Sequence, residues 1–292
     1  MHQKNKDRIA SSDLKSQLFG NVSRYKKLLN EEVKRLTDLY PDEVILNKMF
    51  SALDSRIINI CPMVMCDSLL RDIGIKSPND LLTGIGLSMF SISTHDDLVD
   101  ELPKGRLVIA GLIYSGNIAT LEGISSLLKG KYIDVAIEII NLINKNHYFQ
   151  TKIVETLWKK PTDEIGYLKA ISHTKYWLAI GLKAAITFSK RDDLNSFVDE
   201  FSECYGTVCQ LFDDMREIKD DLKNGYFSLP ISLAIKNGWD LKTANGLNAS
   251  IKRSGELAIA YLNRVKILCG TSFPCLSKLV NRIEEIGNAI DY

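Results

Sequence analysis

The sequence predicts an all-α chain folded as a single domain, and three observations predict it. Apolar residues recur three and four positions apart along most of the 292 residues, no segment alternates with the period of a strand, and no short internal repeat is present. No Pro-, Gly- or Ser-rich linker divides residues 1–292, which hold only 7 prolines.

After a polar start over residues 1–10, Leu14, Leu18, Val22, Tyr25, Leu28, Leu29, Val33 and Leu36 carry a first helix that Pro41 ends. Leu46 through Leu70 is largely apolar and predicts a helix buried on several sides. Ser77-Pro78-Asn79-Asp80 forms a loop in which Ser77 or Asn79 caps the helix running into Asp96. Helices are predicted over about 107–128, 132–158 and 163–188, and Asp192 and Asp193 read as an N-cap pair for the next one. Asn224-Gly225 closes that helix, Leu229-Pro230 opens a short one, and helices over 242–269 and from Pro274 to about Ile290 complete the chain.

Lys+Arg number 37 against Asp+Glu 36, a net charge of +1 that argues against nucleic-acid binding on a strongly basic surface. The six cysteines lie in apolar helical sequence without CxxC spacing, as buried free thiols do in a reducing compartment. No apolar signal core opens the chain and no run of roughly eighteen apolar residues occurs. A soluble cytoplasmic protein is expected.

Two acidic stretches carry the chemistry, His95-Asp96-Asp97-Leu98-Val99-Asp100 and Gln210-Leu211-Phe212-Asp213-Asp214-Met215-Arg216-Glu217-Ile218-Lys219-Asp220-Asp221. Residues four apart share a helix face, so Asp96 with Asp100, and Asp213 with Glu217 and Asp221, form carboxylate columns. Such like-charge pairs cost roughly 0.2–0.5 kcal/mol each, and the first column falls at a helix C-terminus, where partial negative charge repels it. A divalent cation offsets both. Oxygen-only donors suit Mg²⁺, which bridges readily to phosphate oxygens, whereas either stretch alone also fits a solvated acidic face.

These motifs resemble the two aspartate-rich motifs of the trans-isoprenyl diphosphate synthases, the polyprenyl synthetases of the class I isoprenoid synthase superfamily. The stretch 95–100 resembles the first motif; Gln210 through Asp214, with Gly225 through Pro230 downstream, resembles the second motif and its GKxTLP segment. The order, and a separation of more than a hundred residues, agree as well. The resemblance implies an antiparallel helix bundle around a central apolar cavity, about three Mg²⁺ ions, a prenyl diphosphate ionised to an allylic cation, and a homodimer.

The sequence departs from that family where the acceptor, isopentenyl diphosphate, is held. Leu53-Asp54-Ser55-Arg56-Ile57-Ile58-Asn59 stands for GGKRLRP and keeps Arg56 alone; Lys104-Gly105-Arg106 replaces an Arg pair, His173-Thr174 a Lys-Thr pair, and Tyr226 the Lys of GKxTLP. A cation 4 Å from an anion contributes roughly 4 kcal/mol at an effective dielectric near 20, so these losses weaken a second diphosphate site severely. The sequence reading therefore favours a prenyl-synthase-like terpene synthase that ionises geranyl, farnesyl or geranylgeranyl diphosphate and quenches the cation itself. The alternatives are a prenyltransferase that adds isopentenyl diphosphate, and a non-catalytic subunit of a prenyl synthase.

The metal ligands implied are Asp96, Asp97 and Asp100 on one side and Asp213, Asp214, Glu217 and Asp221 on the other, although Asp97 and Asp214 lie about 100° round the helix from their neighbours. Arg56, Gln210, His173, Thr174, Lys175, Arg216 and Lys219 fall where the family meets diphosphate. Phe90, Ser91 and Ile92 precede Asp96 along the expected cavity wall, with Ser88 and Ser91 small enough for a deep floor, and Phe212 is a candidate aromatic lining residue.

Overall fold

The computed structural model describes residues 23–39, 57–100, 106–157 and 159–288, and only the backbone of 57–59, 96–100, 106–108, 153–155 and 286–288. Among the described residues all regular structure is helical. The α-helices are α1 (Ser23–Leu39), α2 (Ile57–Asp72), α3 (Asn79–Ser88), α4 (Phe90–Asp100), α5 (Arg106–Lys129), α6 (Ile133–Leu157), α7 (Glu164–Ile171), α8 (Thr174–Ser189), α9 (Asn195–Asn224), α10 (Leu229–Asn237), α11 (Ala244–Cys269) and α12 (Pro274–Asn288).

α1 buries Tyr25, Leu29, Val33 and Leu36, one stripe at helical spacing. α2 is buried on every side from Ile60 to Leu70. Pro62 lies inside it, and Gly181 of α8 packs there so closely that an added Cβ would stand 2.0 Å from the Pro62 carbonyl oxygen. α3 and α4 run antiparallel to α5 along a ladder of small residues: Gly84 meets Leu127, Ser88 meets Gly123, and Thr94 meets Gly116.

The predicted single helix into Asp96 is broken at Met89. Thr120 spans the break, its hydroxyl donating to the Ser88 carbonyl at 3.4 Å and accepting from the Ser91 N–H at 3.2 Å. The predicted helix over 163–188 is also two, because the Thr174 hydroxyl turns back onto the Ile171 carbonyl at 2.9 Å and ends the ladder there. Asp192 and Asp193 do not cap α9; they form a short 3₁₀ turn in which Arg191 grips Asp193 with two 2.7 Å bonds. Ser77 and Asn79 do not cap α3 either, since Ser77 donates to Asp67 at 2.6 Å and Asn79 accepts from Arg24 at 2.8 Å. Gly225 ends α9 with φ 75°, as the sequence predicts, and Gly238 ends α10 with φ 69°.

The main apolar cluster joins α1 through α6 to α8, the first half of α9, α12 and the end of α11. A second gathers α7, the later half of α9, α10 and the start of α11, and Phe212 packs against both. All six cysteines are free thiols. His95 of α4 stacks on His147 of α6, Phe149 of α6 stacks on Tyr176 of α8, and Thr174 of α8 packs against Gly206 of α9. The later part of α4, the second half of α6 around His147 and Phe149, the first turn of α8 and the middle of α9 therefore share one level of the bundle.

Candidate functional site

The second acidic motif begins about 10 Å along α9 beyond that shared level, seven residues at 1.5 Å each from Gly206 to Asp213. Its column is half in water: the Asp213 and Glu217 side chains are 47% and 49% exposed. Arg216 lies between them, donating to Glu217 Oε1 at 2.9 Å and pairing with Asp213. One turn further on, burial together with Glu217, Asp213 and Asp220 pushes the Asp221 carboxyl up to about 6. The three acids of the column thus feel one another.

Asp214, expected among the metal ligands, faces the opposite way. It is 3% exposed, and its carboxylate accepts from the Tyr167 hydroxyl of α7, from Gln210 Nε2 at 2.9 Å and from the Leu229 N–H at 3.3 Å. Burial pushes it up to about 7. Asp214 therefore ties α9 to α7 and to the N-terminus of α10. The same bond draws Gln210, expected at the substrate, onto Asp214.

The first motif forms the last turn of α4, as predicted; the side chains of Asp96, Asp97 and Asp100, and all of Arg56, lie outside the described residues. Phe90 and Ile92 belong to the main core at 0% and 1% exposure, and Ser91 is 9% exposed. Ser88, expected on the cavity floor, instead packs on Gly123 of α5.

Residues 173–175, expected at the substrate, stand at the start of α8. Burial holds the His173 imidazole down at about 4. Thr174 is 5% exposed against Gly206. Lys175 pairs with Glu203 at 3.3 Å. Lys219 is exposed beyond Arg216. The sequence reading passed over Tyr167, Asn146, His147 and Gln150. Asn146 and Gln150, one turn apart inside an apolar helix, were a signal of buried polar contacts.

No family model and no curated protein matches this chain. Solved structures do. A decaprenyl diphosphate synthase from Rhodobacter capsulatus superposes with a TM-score of 0.75 at 12% identity, covering 95% of this chain and 100% of the other. The chain has the isoprenoid synthase fold. A heptaprenyl diphosphate synthase from Staphylococcus aureus follows at TM-score 0.66 and 19% identity, covering 88% of this chain and 98% of its own. A polyprenyl synthase from Caulobacter crescentus CB15, complexed with calcium and isoprenyl diphosphate, gives 0.65 at 15% identity, with 91% and 98% coverage.

Within the isoprenoid synthase fold, the described half of the site offers carboxylate oxygens alone, which is the donor chemistry of a hard divalent cation. Burial raises Asp221 most, and the repulsion from Glu217 and Asp213 that adds to it is what such an ion would relieve. Among the described residues no three ligating side chains form a closed metal site. Asp213, Glu217 and Asp221 are then one open bank of donors.

Proposed function

We propose that this chain is a Mg²⁺-dependent prenyltransferase that joins an allylic diphosphate to isopentenyl diphosphate and releases diphosphate. The half-solvated column Asp213, Glu217 and Asp221 carries the reading. It stands in a fold whose solved examples are named as chain-elongating synthases, one of them holding calcium and isoprenyl diphosphate. This puts condensation ahead of the cyclising or lyase reaction that the sequence alone favoured.

In this reading Asp213, Glu217 and Asp221, with Asp96 and Asp100 opposite, would hold the metal, which supplies Lewis-acid stabilisation of the leaving diphosphate. Arg216 then exchanges its two carboxylates for phosphate oxygens, a bidentate contact suited to guanidinium. Asp214 holds α9 and the Leu229 turn so that the column keeps its direction. The apolar core around Phe90, Ile92 and Phe212 keeps water from an allylic cation.

A lyase acting on one prenyl diphosphate is the second reading, and one observation favours it: Lys175, a cation expected near the acceptor, is paired with Glu203. A homodimer is supported by the outer faces of α5 and α6, where Ile113, Leu121, Leu128, Ile133 and Ile137 are each about half exposed or more. No helix among the described residues is long and apolar enough to cross a membrane.

The test is incubation with Mg²⁺ and geranyl or farnesyl diphosphate, with and without isopentenyl diphosphate. A longer prenyl diphosphate formed only in the presence of isopentenyl diphosphate is the expected result. A hydrocarbon or alcohol as the main product in both reactions selects the lyase, and no diphosphate release in either refutes both.

A further inference from the structure

A single nitrogen atom bridges the first two acids of the second motif. Arg216 Nη2 donates to Glu217 Oε1 at 2.9 Å, and the same nitrogen donates to Asp213 Oδ1. The Arg216, Asp213 and Glu217 side chains are 52%, 47% and 49% exposed, so the bridge lies open to dissolved ions. A guanidinium keeps its charge at any physiological pH, so Arg216 neutralises part of the column whatever the solution. The two carboxylates that suit a divalent cation are thus shared with a cation of the chain's own.

This sharing works against a metal ion that arrives alone. The ion has to take both carboxylates from the guanidinium and then sit beside the displaced positive charge, a repulsion that water weakens without removing. Mg²⁺ also gives up its waters reluctantly and takes only one or two carboxylates, so it gains little in return. Diphosphate removes the conflict, because its oxygens accept two parallel N–H bonds from a guanidinium and leave the carboxylates to the metal. Arg216 follows Asp213 by three residues and directly precedes Glu217, and its head is half in water, so a change of side-chain rotamer suffices for the exchange.

We propose that Arg216 is a built-in counter-ion that makes metal binding by Asp213 and Glu217 conditional on diphosphate. This rests on the metal column of the function proposed above. Metal and diphosphate then bind cooperatively, and by linkage each raises the affinity for the other by the same factor. Arg216 changes from competitor to partner without leaving the motif, and the second acidic bank loads its metal only when a substrate brings its diphosphate.

The test is equilibrium dialysis of the full chain against Mn²⁺, in place of Mg²⁺, with and without inorganic diphosphate. For the wild type, diphosphate should lower the half-saturating Mn²⁺ concentration by about tenfold or more. Arg216→Gln keeps the stem and removes the charge; it should bind Mn²⁺ alone about tenfold more tightly than the wild type, and diphosphate should then add little. Arg216→Lys, which keeps the charge, should restore most of the wild-type dependence on diphosphate. Adding Asp213→Asn to Arg216→Gln should erase the gain, which ties it to the column. Equal binding of Mn²⁺ alone by the wild type and the folded Arg216→Gln chain, or a gain that survives Asp213→Asn, overturns this proposal alone. No Mn²⁺ bound by the wild type even with diphosphate overturns the metal column itself, and this proposal with it.

Discussion

Replacing Asp214 by Asn separates what its carboxylate costs the fold from what it holds in place. The group is 3% exposed, and burial raises it to about 7, against about 3.9 in an unfolded chain. The folded protein therefore binds this proton more tightly than the unfolded one, so between those two values stability falls as pH rises. Each pH unit removes about 1.4 kcal/mol, which comes to roughly 3 kcal/mol between about pH 5 and about pH 8. Asn escapes this loss and can keep the network: its oxygen accepts from Tyr167 and Leu229, and a flipped Gln210 amide accepts from its nitrogen. Urea unfolding of both proteins across that pH range, followed by helical circular dichroism, should show the variant gaining on the wild type by roughly 3 kcal/mol toward alkaline pH. Parallel stability curves for the two proteins would refute the account of Asp214 as a buried, strained acid.

Asp213→Ala should abolish diphosphate release while leaving the helical circular dichroism spectrum intact; wild-type turnover would remove Asp213 from the metal column. Gly181→Ala should destabilise by roughly 1–3 kcal/mol in thermal unfolding, because its Cβ would collide with the rigid Pro62 carbonyl rather than with a movable side chain. Leu121→Asp combined with Ile137→Asp should convert a dimer to a monomer in sedimentation, and a wild-type protein already monomeric at high concentration would contradict the assignment of the α5–α6 face.

The helices were legible because their causes are local. Periodic apolar residues, Gly225 in a left-handed turn, and Pro230 at a helix start act over a few positions, and the structure reproduces them. The two breaks missed, at Met89 and after Ile171, carry neither Pro nor Gly. Each is stabilised by a Thr hydroxyl, one of them from α5, about thirty residues away in sequence, so no local pattern announces it. Ser88 was misplaced for a related reason. The partner that decides its direction is Gly123, and a small residue on another helix is invisible until the two helices are packed.

The adjacent acids Asp213 and Asp214 show why residue type was easier to read than residue role. Two neighbours on a helix differ by about 100° in direction, so a helix that forms a wall cannot turn both toward the same ligand. One must take the solvent side, where Arg216 and Glu217 join it. The other must be stabilised inside, and only Tyr167, Gln210 and the Leu229 N–H together supply enough donors to hold a carboxylate there. Those donors come from three separate segments, so the sequence could count the acids but could not tell which of the pair would be the anchor. The same geometry predicts that the column runs through Asp213, Glu217 and Asp221, and that Asp214 affects turnover only by holding the helix that carries those three.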